Sequence, residues 1–361
     1  MPAANTTPGT TPATVAHSTQ YKRIATEEAF ATADMLRQYR AVLARNSIDD
    51  IGFNSMWGFY LGSTSARATS IIERLQWLDE RRIADMDATG IDVQILALTS
   101  PGAHIFDAAT GTALARASND ELAAAIARFP ERLVGMAAIA PQDPAAAAKE
   151  IERGIHTLGL NAVLLNSHVH GEYLDAQKYW EIFAAAEACD APVYIHPNTP
   201  SDRMIAPFLE AGLDGAIFGF GVETALHVLR LIVSGVFDRF PKLKVVIGHM
   251  GEALPYWLFR LDYMYRATLN SKRYPSWQPL RGLPSDYMRQ NIYVTCSGMP
   301  WGPAITFAQQ VLGADRVLYA MDYPYQFVAS EVVACDDIAM SATDKKKFFQ
   351  TNAEQVFHLK T

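Results

Sequence analysis

Apolar residues along this chain fall into short unbroken runs rather than into strict alternation. IDVQILALTS (91–100), LVGMAAIAP (133–141), NAVLLNSH (161–168), APVYIHP (191–197), LKVVIGHMG (243–251), NIYVTCSG (291–298) and RVLYAMDYP (316–324) are such runs. YKRIATEEAF (21–30) precedes them and ends in acidic residues. Strands of this kind are buried on both faces, as in parallel sheets covered by helices. The stretches between them follow the longer helical period. PAAAAKEIERGIHTLG (144–159), YWEIFAAAEACD (179–190) and VETALHVLRLIVSGVFDRFP (222–241) read as helices, with Pro144 suited to a first turn. Gly90 stops the helix that contains RRIADMDATG. Eight strands alternating with helices predict an α/β fold of the (β/α)8 barrel type. An open doubly wound sheet would place a Gly-rich phosphate loop after its first strand; Glu27 and Glu28 stand there instead.

The expected organisation is a single distorted (β/α)8 TIM barrel over residues 21–361. Residues 31–80 form an insertion between the first two strands, folded over the C-terminal mouth. The first twenty residues are rich in Ala, Thr and Pro. They lack the basic start and apolar centre of a secretory signal and read as a tail that is poorly ordered or ordered by an oligomer partner.

Composition narrows the function. Of 361 residues, 50% are hydrophobic and 19% charged, enough apolar material for a large core. The net charge of −7 disfavours nucleic acid, which needs clustered positive charge. No run reaches 18 apolar residues, so no membrane association is expected. Cys189, Cys296 and Cys335 are odd in number and far apart. They suggest neither a disulfide framework nor a metal knuckle, which suits a reducing cytoplasm.

Four polar residues stand at the C-terminal ends of strands one, five, six and eight: Glu27, His196, His249 and Asp322. In a parallel barrel these ends open on one face, so the side chains converge. Two carboxylates with imidazoles are suitable ligands for a divalent metal such as Mn²⁺ or Zn²⁺. Singly, each has a plainer reading. Either histidine could cap a loop carbonyl, Asp322 could cap a helix, and Glu27 could face solvent as Glu28 beside it is expected to. Their joint placement favours a site. His168 and His170 follow strand four and could line the site but have no matching partner, and His227 reads as core. Trp57, Phe59 and Tyr60 near Arg67 read either as a wall for a planar anionic ligand or as a patch under a loop.

IATEEAF, YIHP, FGFGVET, GHMGEALPYWLFRLDYM and YAMDYPY lie within a resemblance covering nearly all of residues 21–358. The chain resembles the amidohydrolase superfamily, in its branch of metal-dependent, non-oxidative aromatic decarboxylases. The resemblance implies Glu27, His196 and Asp322 as metal ligands and Asp322, His249 and Glu252 as catalytic, with Glu252 orienting His249. It implies Arg67, Arg260, Tyr325 and His249 as substrate-binding, the arginine at 260 by way of a neighbouring subunit. Ala29 stands where many members have a second ligand, which leaves more water on the metal and favours Mn²⁺ over Zn²⁺. The implied activity is that of a carboxy-lyase turning 5-carboxyvanillate into vanillate and CO2 in cytoplasmic catabolism of lignin-derived aromatics, by a homodimer or homotetramer. HPNTP replaces an arginine-containing loop of the γ-resorcylate group. γ-Resorcylate and 2,3-dihydroxybenzoate remain alternative substrates, and metal-dependent hydrolysis an alternative reaction.

Overall fold

The computed structural model describes residues 14–275 and 277–359. Eight strands lie side by side in chain order: β1 (Ile24–Phe30), β2 (Val93–Leu98), β3 (Leu133–Ala138), β4 (Ala162–Leu165), β5 (Val193–Ile195), β6 (Val245–Ile247), β7 (Ile292–Thr295) and β8 (Val317–Leu318). Every neighbouring pair from β1–β2 to β7–β8 is parallel, with helices in the connections. Nearly all strand residues are buried, as continuous apolar runs require. The (β/α)8 expectation is borne out. The later strands are shorter than the apolar runs, so His196, His249 and Asp322 lie one, two and four residues past a strand end. Glu27, expected at the end of the first strand, lies in its middle, with β1 running on to Phe30.

The seam between β8 and β1 is closed chiefly beyond the end of β8. Thr26 N–H donates to the Tyr319 carbonyl at 3.1 Å, and Ala29 N–H to that of Tyr323 at 2.6 Å. The Glu28 carboxylate accepts the N–H groups of Met321 and Tyr323 at 2.9 and 3.0 Å. This corrects the expectation that Glu28 faces solvent: it is fully buried. An irregularity in the β1–β2 register between Ala25 and Glu28 breaks the alternation. Two consecutive glutamates are therefore both interior.

The expected helix 222–241 is two helices, Gly219–Val233 and Val236–Arg239. They are split at Gly235, whose φ of 84° ends the first. Residues 31–80 contain α1 (Ala33–Arg45), α2 (Ile51–Gly62) and α3 (Ala66–Leu75). These reach the loops after several strands. Trp57 Nε1–H donates to Ser100 O at 3.0 Å, Gly52 abuts Thr199, and Arg67 donates to Tyr325 O at 2.9 Å. Of the expected tail, residues 1–13 lie outside the described residues. Residues 14–20 run along the barrel, with Val15 buried and its N–H on Ala88 O at 3.0 Å. The Arg23 guanidinium binds Ala16 O and Gly90 O. No helix among the described residues is long and apolar enough to cross a membrane.

Candidate active site

Glu27 is buried at the barrel mouth. Its Oε2 accepts from the hydroxyls of Tyr194 on β5 and Thr295 on β7, the latter at 3.0 Å. Its Oε1 is buried without a hydrogen-bond partner and lies 3.6 Å from His196 Nε2. The tautomer of His196 follows from its other nitrogen: Nδ1 is 2.8 Å from the Pro197 carbonyl, so Nδ1 carries the proton. Burial pushes the His196 pKa down, which keeps the ring neutral. Two lone pairs thus face each other with no proton between them. A cation would relieve that repulsion. Two donors about 2.0–2.2 Å from one ion stand roughly 3.0–3.4 Å apart, close to the separation here. Among the described residues no three His, Cys, Asp or Glu side chains already form a complete metal-binding set. The preformed part is the Glu27–His196 pair, and an oxygen-and-imidazole donor set fits a divalent metal.

Asp322 lies between the two N–H groups held by Glu28, with φ of 77°. Burial, then the charge of Glu27, pushes its carboxyl well above the usual range, against the pull of His249. His249 Nδ1 is 2.8 Å from Glu252 Oε1. Burial pulls the imidazole down, but Glu252, Glu27 and Asp322 outweigh it and raise its pKa to about 10. Two glycines make room for this cluster. A Cβ at Gly248 would lie 2.5 Å from Glu27 Oε2. One at Gly298 would lie 3.2 Å from His249 Cδ2 and 3.5 Å from Asp322 Oδ2.

His249, Glu252, Gly298, Asp322 and Gln326 form the polar end of a cavity of about 1070 Å³ whose walls include Phe220, Met299 and Trp301. Tyr325 donates to or accepts from Thr99 Oγ1 at 2.5 Å, and its ring meets Tyr60 at 5.8 Å. Burial drives its pKa up, so it keeps its proton. Arg67 binds the Tyr325 carbonyl and lowers the pKa of Asp322, which places it beside the site. Of the aromatic wall expected near Arg67, only Tyr60 faces Tyr325. Trp57 is buried against Tyr39, and Phe59 is exposed. Arg260 is not brought together with the rest. It is exposed on the helix Leu254–Ser271 and lines a separate cavity of about 410 Å³ with Trp257, Met264 and Trp277.

Several residues that sequence reasoning left without a role surround the site. Tyr194 shares a strand face with His196 two residues on, a signal the two-residue period offers. His168 finds a partner in the Thr199 carbonyl at 3.0 Å. Glu223, buried in the FGFGVET segment, accepts from Tyr173 at 3.1 Å and from Ser201 N–H at 3.2 Å. Both therefore pin the loop that follows His196. Nothing local in the sequence marks either contact.

Eight parallel strands with buried polar groups gathered at their C-terminal mouth define a (β/α)8 barrel with a candidate cation site. A model of the amidohydrolase family matches residues 66–359, and the chain belongs to that family. It is 55% identical to 5-carboxyvanillate decarboxylase from Novosphingobium aromaticivorans DSM 12444, whose crystal structure holds manganese and 4-hydroxy-3-methoxy-5-nitrobenzoic acid. The match covers 97% of this chain and 100% of that one, with a TM-score of 0.94. The corresponding enzyme from Sphingomonas paucimobilis is 38% identical over 94% of this chain and 99% of that one, at a TM-score of 0.87. γ-Resorcylate decarboxylase from Polaromonas sp. strain JS666 is 34% identical over 348 residues, 93% of this chain and 98% of that one.

Proposed function

We propose that this protein is a Mn²⁺-dependent, non-oxidative decarboxylase of a hydroxylated aromatic acid, converting 5-carboxyvanillate to vanillate and CO2. The observation that carries the reading is the 55% identity to a 5-carboxyvanillate decarboxylase over essentially the whole chain. Glu27, His196 and Asp322 would hold the cation. When bound, it supplies the charge that fixes substrate oxygens and stabilises negative charge developing on them.

The residues divide the remaining work. Asp322 delivers a proton to the ring carbon that bears the carboxylate. The C–C bond then breaks, its electron pair returns to the ring, and CO2 leaves. Burial favours the protonated form of Asp322 and a neighbouring cation favours the ionised one, so one carboxyl can serve as both ligand and acid. His249, protonated and held by Glu252, pairs with an anionic substrate group. Arg67 pairs with a substrate carboxylate, and Tyr325 borders the ring. Phe220 and Met299 give the cavity apolar walls beside these polar groups.

Arg260 acts from a neighbouring subunit in a homodimer or homotetramer. Its helix carries Phe259 and Tyr256, 87% and 77% exposed, and Ile217, 72% exposed, shares a cavity wall with Tyr256; a monomer would leave this apolar surface in water. The setting is cytoplasmic breakdown of lignin-derived aromatics.

The test follows the ultraviolet spectrum of 5-carboxyvanillate with Mn²⁺-loaded protein, with γ-resorcylate and 2,3-dihydroxybenzoate in parallel. Vanillate formation is expected, and Asp322→Asn abolishes it while substrate still binds. Turnover of γ-resorcylate alone would move the substrate, a reading favoured by the 34% identical relative. Inertness toward all three, with metal bound, would overturn decarboxylation in favour of hydrolysis.

A further inference from the structure

We propose that Tyr194 and Thr295 are positioning residues that make Glu27 a one-oxygen ligand, by occupying Oε2 and leaving only Oε1 for a divalent cation. The proposal rests on the reading of Glu27 and His196 as metal ligands.

A glutamate carboxylate turns easily about its last torsion and can present either oxygen or both. Here that freedom is removed. Oε2 accepts from the Tyr194 hydroxyl on β5 and from the Thr295 hydroxyl on β7, the latter at 3.0 Å. The backbone of Gly248, just past β6, closes the third side so tightly that a Cβ there would lie 2.5 Å away. The two hydroxyls are 3.3 Å apart, and each donates its single hydrogen to Oε2. Three consecutive strands of the barrel thus grip a single oxygen, while its twin is buried and unpartnered, facing His196 Nε2.

The arrangement has a chemical consequence. A carboxylate with both oxygens free can bind a cation through both and take two of its positions. With Oε2 engaged by two donors, Glu27 would offer one oxygen only, and the positions not taken by Glu27, His196 and Asp322 would stay open to substrate oxygens and water. Neither hydroxyl lines the substrate cavity. Both therefore act through Glu27, as the outer partners of metal ligands commonly do.

The experiment measures Mn²⁺ affinity by calorimetry and the electron paramagnetic resonance of bound Mn²⁺. Tyr194→Phe, Thr295→Val, Thr295→Ser and Glu27→Gln are compared with the unaltered protein. Tyr194→Phe and Thr295→Val are expected to weaken Mn²⁺ binding about 10–100-fold and to change the spectrum. Thr295→Ser, which keeps the hydroxyl, restores both. A purely structural role would lower the melting temperature and leave affinity and spectrum alone. Unchanged affinity in Tyr194→Phe and Thr295→Val, with loss in Glu27→Gln, overturns the positioning role alone. Unchanged affinity in all of them overturns the ligand reading as well. Should Tyr194→Phe not fold, the contrast between Thr295→Val and Thr295→Ser decides the same question.

Discussion

Adjacent glutamates on β1 have different duties. Glu27 keeps one oxygen free toward His196. Glu28 uses both oxygens on the backbone N–H groups flanking Asp322. Burial raises the Glu28 pKa to about 8. The Arg82 guanidinium, itself fully buried, lies 4.5 Å from the Tyr323 ring centre and donates to Ala29 O at 2.7 Å. These groups set the backbone on either side of Asp322, whose positive φ a non-glycine residue does not adopt unaided. Glu28→Ala leaves two buried N–H groups without acceptors, each costing about 1–3 kcal/mol. The expected loss, read by urea unfolding, is about 2–6 kcal/mol, with Glu28→Gln losing less because it keeps an acceptor oxygen.

The turn after β6 shows how an element stores strain where the chemistry lies. His249, Met250, Glu252 and Ala253 all have φ between 52° and 61°. For residues with a Cβ this left-handed conformation costs about 1–2 kcal/mol each. The strain aims His249 and Glu252 at each other and hands the chain to the helix Leu254–Ser271, with Pro255 in its first turn. Ala253 makes no side-chain hydrogen bond. Ala253→Gly is therefore expected to raise stability by about 0.5–1 kcal/mol, the relief of strain exceeding the added chain entropy. Urea midpoints of the two proteins check it, and an equal or lower midpoint for the variant would show that the turn is unstrained. Strand cores are legible in the sequence because unbroken apolar runs have few other places to go. Strand ends are not: the run LKVVIGHMG continues past Ile247 into this turn, and nothing in its hydrophobicity marks the change.

Across the molecule, two buried imidazoles tie stability to pH. Burial pushes the pKa values of His104 and His227 down to about 3. Unfolded, each takes up its proton near 6.5. Between these values each imidazole binds a proton only in the unfolded chain, so its contribution to stability is full above about pH 6.5 and lost as pH falls toward 3. The slope approaches about 1.4 kcal/mol per pH unit for each imidazole. The buried carboxyls of Glu28 and Asp322, whose pKa values are raised, act in the opposite sense, so the test is a difference. By denaturant unfolding, the unaltered protein is expected to lose about 2 kcal/mol more than His227→Asn between pH 7 and pH 5. An unchanged slope in that variant would remove His227 from the account.

Barrel class, strand order and the choice of Glu27, His196, His249 and Asp322 as the polar groups of the barrel mouth are all legible in the amino-acid sequence, though not their exact places on the strands. Each depends on local pattern: runs of apolar residues select parallel buried strands, and a barrel sends every C-terminal end to one face. The His249–Glu252 contact is likewise local, three residues apart. The inward turn of Glu28 is not legible there, because a register irregularity against β2 cancels the two-residue alternation. Nor is the grip on Glu27, which joins residues 27, 194, 248 and 295. Such contacts form only when distant strands close into a barrel. The chain carries the groups that can do the chemistry, and closure of the barrel decides which oxygen of each is free to do it.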